Sequence, residues 1–88
     1  MSGFEEAVKL SKRLRTKPSN DELQMLYGLY KQRMFGDCNA PEPGFLDFVG
    51  KTKWYAWNKW KGIDPKVAGN KYVDCVGTLV EKYGVSDA

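Results

Sequence analysis

Three features of the sequence predict an all-α fold, a four-helix bundle with a long connection between its second and third helices. Apolar residues recur at helical spacing in four segments, strand-like alternation is weak, and proline, glycine and capping residues fall where such helices would start and stop. The first helix is expected from about Gly3 to Leu14, with Phe4, Ala7, Val8, Ser11 and Leu14 on one face and Lys9, Lys12 and Arg13 elsewhere around it. It stops before Pro18, because proline disfavours the helical conformation in the preceding Lys17. Ser19 or Asn20 can cap the second helix, with Asp21 and Glu22 near its positive end, and the helix continues through Leu23, Leu26, Tyr27, Tyr30 and Met34 to near Gly36.

Residues 37–50 hold Pro41, Pro43, Gly44 and Gly50 and no sustained helical period, which makes them the long connection. Phe45, Leu46 and Phe48 are expected to pack it down as an ordered loop. Its length permits two successive helices to run parallel. The third helix is expected over Lys51 to Lys61, ended by Gly62, and the fourth opens with Asp64 as cap and Pro65 at the first helical position. Ala68, Tyr72, Val76, Leu79 and Tyr83 then form one face of that helix, to about Tyr83. Gly69 and Gly77 each cost up to about 1 kcal/mol relative to alanine, so packing must hold it together.

A chain of 88 residues is expected to form a single domain over 1–88, its small core supplied by three Trp, five Tyr and four Phe. The formal charge of +3 is mild, and the lysines alternate with Glu5, Glu6, Asp21, Glu22, Asp64 and Asp74 instead of forming the continuous basic face that binds nucleic acid. The sequence contains no His, which removes His-based acid–base catalysis, Ser-His and Cys-His triads and most zinc sites. It shows neither a metal-ligand cluster nor a glycine-rich phosphate loop, so no catalytic residue, metal or cofactor is assigned and no enzyme is expected. The apolar runs are short and interrupted by charges, so neither a membrane span nor a secretory segment is expected. The chain reads as cytoplasmic, with Cys38 and Cys75 as reduced thiols. Asp37, Asp47 and Asp74 are expected to cap helices or lie on the surface.

Two aromatic-and-lysine clusters stand out. Tyr27, Tyr30 and Lys31 fall at i, i+3 and i+4, so two phenols and an ammonium leave one helix face within a turn, a surface suited to stacking a flat ring and gripping an anion. The second cluster runs from Lys51 to Gly62 and includes Lys53, Trp54, Trp57 and Trp60; at spacings of three, these tryptophans read as core and channel wall.

These clusters belong to a longer ordered set: Phe4, Thr16-Lys17-Pro18, Glu22-Leu23, Tyr27 to Gln32, Gly36-Asp37, Pro43-Gly44, Leu46-Asp47-Phe48, Lys53-Trp54, Ala56-Trp57-Asn58, Tyr72 and Lys82-Tyr83-Gly84. In order and spacing the set resembles the acyl-CoA-binding proteins, small four-helix carriers of long-chain fatty acyl-CoA esters. The resemblance implies that Tyr27, Lys31 and Lys53 hold the ribose 3′-phosphate, that Tyr30 is the platform for adenine, and that Lys12 and Tyr72 complete the nucleotide site. Leu23 with Met25 or Leu26 on the second helix, and Thr52 and Ala56 on the third, are expected to line the acyl channel. The expected partners are a long-chain acyl-CoA ligand and the acyl-CoA-using enzymes that receive it, with no nucleic acid, no stable membrane insertion and a monomeric state. Val49 stands where many members carry lysine, Gln24 is polar where leucine is frequent, and Phe35 and Trp60 are bulkier than the usual aliphatic residues; if they border the channel, they would affect acyl-length preference. The rival reading of the same clusters is a basic, aromatic helical module for nucleotides or nucleic acid.

Overall fold

Four helices form where the periodic and capping signals direct them, and three of their ends shift by about a turn. The computed structural model describes residues 3–86, with α1 (Gly3–Ser11), α2 (Asn20–Phe35), α3 (Phe48–Asn58) and α4 (Pro65–Tyr83). Ser19 caps α2 through a reciprocal box: its hydroxyl accepts from the Glu22 amide at 3.2 Å, while the Glu22 carboxylate accepts from the Ser19 amide at 2.8 Å. Asp64 caps α4 by accepting from the Lys66 amide at 2.7 Å, with Pro65 behind it.

α1 ends at Ser11, a turn before the expected Leu14, because the chain beyond it is recruited elsewhere. Leu14 forms an isolated antiparallel bridge with Val85, the Arg15 amide donates to the Gly84 carbonyl at 3.0 Å, and the Ser86 amide donates to the Arg13 carbonyl at 2.8 Å. α3 starts at Phe48, ahead of the expected Lys51, because Asp47 acts as its cap and accepts from the Gly50 amide at 2.9 Å. It ends at Asn58, after which tighter turns lead to Gly62, whose φ of +91° suits glycine.

Backbone packing joins α1 to α4, α2 to α4 and α2 to α3. The main core is shared by α1, α2 and α4, with Phe4 and Ala7 meeting Leu26 and Leu29 and the expected α4 face of Ala68, Tyr72, Val76 and Leu79. Phe4, Tyr30 and Tyr72 form a ring cluster inside it, with centroids 5.0–6.2 Å apart. α3 rests on α2 at Gly28, where a Cβ would be driven into the Ala56 carbonyl oxygen and would lie 2.9 Å from Trp60 Cδ1. Glycine at this position is what allows the two backbones to come so close.

The long connection differs from expectation. Phe45, Leu46 and Phe48 do not pack it down, for all three are exposed. Hydrogen bonds anchor it instead: Trp54 Nε1 donates to the Ala40 carbonyl at 2.8 Å, Trp57 Nε1 to the Gly36 carbonyl at 2.7 Å, and the Glu42 carboxylate accepts from Tyr55 Oη at 2.6 Å and pairs with Lys51 at 3.1 Å. Asp37 takes part as well, accepting from the Gly62 amide at 2.8 Å and from buried Gln32 at 2.9 Å. Both cysteines are free thiols; Cys75 is half-buried against the core, and that burial raises its pKa.

Two predictions test this packing. Gly28→Ala should lower stability by about 1–3 kcal/mol, the scale of overpacking, although alanine is intrinsically the better helix former by about 1 kcal/mol. A urea midpoint at or above that of the parent would contradict the close approach. The Glu22 carboxyl is held at about 2, below its usual 4.5, first by the hydrogen bond from Lys82 (2.8 Å) and then by that from Tyr83 (2.7 Å). A carboxyl whose pKa falls on folding stabilises the fold above 4.5 and loses that contribution as pH drops towards 2. Stability should therefore decline over this window, and Glu22→Gln should reduce the decline measured by denaturation at successive pH values.

Candidate functional site

α2 carries apolar residues on more than one face, a pattern expected when a helix is covered on several sides. One side, with Leu29, belongs to the core. Another, with Asn20, Leu23, Gln24, Tyr27 and Tyr30, borders an open cleft of about 640 Å³. These residues recur every three or four positions, so they line one face along about 15 Å of helix. The facing wall comes from α3, where Phe48, Val49, Thr52, Lys53 and Ala56 repeat at the same spacing. Leu26 and Tyr72 reach the cleft from the core, and Ser11 and Pro18 close the edge near the end of α1.

The lining is mainly apolar, with polar groups from Ser11, Asn20, Gln24, Thr52 and Lys53 and from the tyrosine phenols. The Lys53 ammonium lies 5.7 Å from the centre of the Tyr27 ring and the Lys31 ammonium 6.0 Å from it, so two cations converge on one phenol. Among the described residues the ion pairs lie elsewhere, joining Lys51 to Glu42 and Lys82 to Glu22. Tyr30 stacks on Phe4 at 5.9 Å and is half-buried, so its orientation is held while its ring still borders the cleft. Tyr72 Oη donates to Ser11 Oγ at 3.3 Å, and Ser11 Oγ donates to the Val8 carbonyl at 2.7 Å. Burial raises the Tyr72 pKa, so the phenol stays protonated across the neutral range.

Tyr27, Tyr30, Lys53 and Tyr72 of the expected nucleotide set therefore border one cleft, as do Leu23, Leu26, Thr52 and Ala56 of the expected channel. Met25 does not, because its position on α2 turns it towards the core, where it packs as a partly buried side chain. Lys31 is not part of the lining: its ammonium lies over Phe35 at 4.4 Å and Trp57 at 4.8 Å, in an aromatic cage beside Tyr27. Lys12 is exposed in the turn after Ser11 and does not line the cleft. Phe35 and Trp60 do not border it either, since Phe35 flanks Lys31 and Trp60 packs against the core at Gly28. None of the three tryptophans forms a wall of the cleft; Trp57 is buried and Trp60 joins the core, while Trp54 holds the connection.

Ser11, Pro18, Asn20, Gln24, Phe48 and Val49 line the cleft without having been assigned to it from the sequence. Asn20 and Gln24 could have been found from their helical spacing with Tyr27, and Phe48 and Val49 from theirs with Thr52 once Asp47 is taken as the cap of α3. A second hollow of about 450 Å³, bordered by Phe4, Arg33, Gly69 and Val73 among others, shares no residue with the first. Among the described residues there is no group of three potential metal ligands, and no helix is long and apolar enough to cross a membrane.

Comparison with known proteins gives the same family at the level of sequence and of fold. Residues 1–76 match the family model for acyl-CoA-binding protein. Acyl-CoA-binding protein 2 of Oryza sativa superposes with a TM-score of 0.87 at 34% identity, covering 91% of this chain and 89% of that one. The protein from Moniliophthora perniciosa gives a TM-score of 0.85 at 38% identity, covering 93% of this chain and 83% of its own. The yeast acyl-coenzyme A binding protein gives 0.72 at 42% identity, covering 92% of this chain and 94% of its own. With a family match across most of its length and the same helical architecture in each of these relatives, this chain belongs to the acyl-CoA-binding protein family.

Proposed function

We propose that this chain binds long-chain fatty acyl-CoA esters in the cleft between α2 and α3 and serves as an intracellular carrier and pool former for them in lipid metabolism. The observation that best supports this is the pairing of an apolar cleft with two lysine ammonium groups converging on Tyr27 at its edge. An acyl-CoA ester has matching parts, a hydrocarbon chain and a nucleotide whose 3′-phosphate is strongly anionic. In this assignment Lys53, Lys31 and Tyr27 bind the 3′-phosphate, Tyr30 stacks on adenine, and Tyr72 adds a phenol from α4. Lys12, next to cleft-lining Ser11, supplies a further cation from the end of α1.

Leu23, Leu26, Thr52 and Ala56 then cover the acyl chain. Each buried CH₂ contributes roughly 0.8 kcal/mol, so a sixteen-carbon chain brings on the order of 10 kcal/mol before ordering costs. Binding is reversible, with no bond made or broken, and the chain acts as a cytoplasmic monomer of one domain that passes its cargo to acyl-CoA-using enzymes. A nucleotide or nucleic-acid module would have no use for so extended an apolar wall.

Calorimetric titration tests the assignment. Palmitoyl-CoA should bind far more tightly than free CoA, palmitate or a short oligonucleotide, and affinity should climb by up to about 0.8 kcal/mol per CH₂ from octanoyl-CoA until the cleft is filled. No dependence on chain length would favour the nucleotide-binding alternative. Lys53→Ala should weaken palmitoyl-CoA binding by about 1.5–3 kcal/mol, the scale of a hydrogen bond to a charged group, and should leave the dephospho-CoA ester almost unaffected. An equal loss for both esters would detach Lys53 from the 3′-phosphate.

A further inference from the structure

Arg33, near the end of α2, is held in place by packing and has no acidic partner. Its guanidinium lies over the Phe4 ring, 5.0 Å from the centroid. Its stem crosses α4 at Gly69, where a Cβ would stand 2.7 Å from Arg33 Cδ and 2.9 Å from Nε. Gly69 is buried in a helix interior, where glycine costs up to about 1 kcal/mol relative to alanine, and the crossing arginine fills the space that a methyl group would need. Arg33 is thereby half-buried, yet among the described residues the ion pairs are those of Lys51 with Glu42 and Lys82 with Glu22. A guanidinium stripped of much of its water and left without a counter-charge favours an anion in the space beside it.

That space is the second hollow, of about 450 Å³, and its polar groups are arranged in order of charge. Lys66, Asn70 and Asp74 follow one another at i, i+4 and i+8 along about 12 Å of α4, so an ammonium, an amide and a carboxylate border the hollow in sequence. Arg33 crosses at Gly69, between the first two. Glu5 and Glu6 in the first turn of α1 do not border the hollow, which leaves Asp74 as the carboxylate of the lining. We propose that this hollow binds a small phosphate monoester, its phosphate held by Arg33, Lys66 and Asn70.

The lining selects for that class of ligand. A guanidinium fork, an ammonium and an amide supply more donors than a carboxylate uses and suit the three free oxygens of a monoester, to which Arg33 can donate two parallel hydrogen bonds. The hollow exceeds the size of a phosphate group, leaving room for a small body whose hydroxyl Asp74 can accept. Asp74 also repels a second phosphate at its end, which disfavours polyphosphates. Because the hollow and the α2–α3 cleft share no lining residue, the monoester can bind while the cleft is full or empty.

The test follows amide and arginine side-chain shifts of the ¹⁵N-labelled protein during titration with inorganic phosphate, glycerol 3-phosphate and acetate at constant ionic strength. Both phosphates should move Gly69, Asn70 and Arg33 Nε along saturating curves, with acetate binding several-fold more weakly. Arg33→Met, whose unbranched chain can still cross Gly69 and pack on Phe4, should weaken phosphate binding at least about tenfold. Lys66→Gln should also weaken it, whereas Asp74→Asn should strengthen it about twofold by removing a like charge. Palmitoyl-CoA affinity should be the same in all three variants and the parent. A linear response without saturation at Gly69 and Asn70, an Arg33→Met protein that binds phosphate as the parent does, or acetate bound as tightly as phosphate would overturn the proposal. So would shifts confined to Tyr27, Lys31 and Lys53, which would place phosphate in the cleft alone. Should Arg33→Met fail to fold, the opposite responses expected of the exposed Lys66 and Asp74 variants decide the matter, and equal responses in the two would sink the assignment.

Discussion

The close approach of α3 to α2 at Gly28 is the constraint on which the cleft depends. α3 has no backbone packing with α1 or α4, so its position is set by its contact with α2 and by the connections at its two ends. At the contact the Ala56 carbonyl occupies the space that a side chain at position 28 would need. The glycine costs about 1 kcal/mol of helix propensity and in return allows the short interhelical distance. With α3 so held, the groove between its Phe48–Ala56 side and the Leu23–Tyr30 side of α2 stays open, because α4 covers a different face of α2.

Polar tethers at the ends of α3 fix its orientation. Asp37 joins Gln32 of α2 to the Gly62 amide beyond α3, and both of these hydrogen bonds hold its carboxyl below the usual range. Trp54, Tyr55 and Trp57 fasten the connection along the helix through Ala40, Glu42 and Gly36. Indole and phenol groups therefore act here as hydrogen-bond donors as much as apolar surface. The same framework brings Lys53 of α3 and Lys31 of α2 to within about 6 Å of the Tyr27 ring centre, whose π face attracts each ammonium.

Much of this was legible in the sequence, and the misses have definite causes. Helix boundaries marked by strong local chemistry, such as Ser19 with Glu22 or Asp64 with Pro65, fall as expected. The end of α1 does not, because it is decided by hydrogen bonds from residues about seventy positions away, at Gly84 to Ser86. The start of α3 rests on Asp47, whose carboxylate caps the helix, a local signal masked by the apolar Phe48, which suits a packed loop equally well. Among cleft-lining residues, Leu23, Leu26, Tyr27 and Tyr30 on α2 and Thr52, Lys53 and Ala56 on α3 were legible from their helical spacing. Met25 was not, because it lies about 100° around α2 from Gln24, the nearest residue of the cleft face, and packs against the core; Lys31 shares the cleft face by spacing, but its ammonium rests over Phe35 and Trp57 beside Tyr27. The exposure of Phe45 and Leu46 was hidden for a similar reason: sequence shows that a residue is apolar but not whether anything covers it.

The claim at the centre of this interpretation is that the groove held open by the α2–α3 contact receives the ligand. Amide chemical shifts of the ¹⁵N-labelled protein, followed during titration with palmitoyl-CoA, test it most directly. The changes should concentrate at Leu23, Tyr27, Tyr30, Thr52, Lys53 and Ala56 and spare Gly69 and Val73 at the second hollow. Changes centred on Phe4, Arg33, Gly69 and Val73, with the α2–α3 groove unmoved, would contradict it.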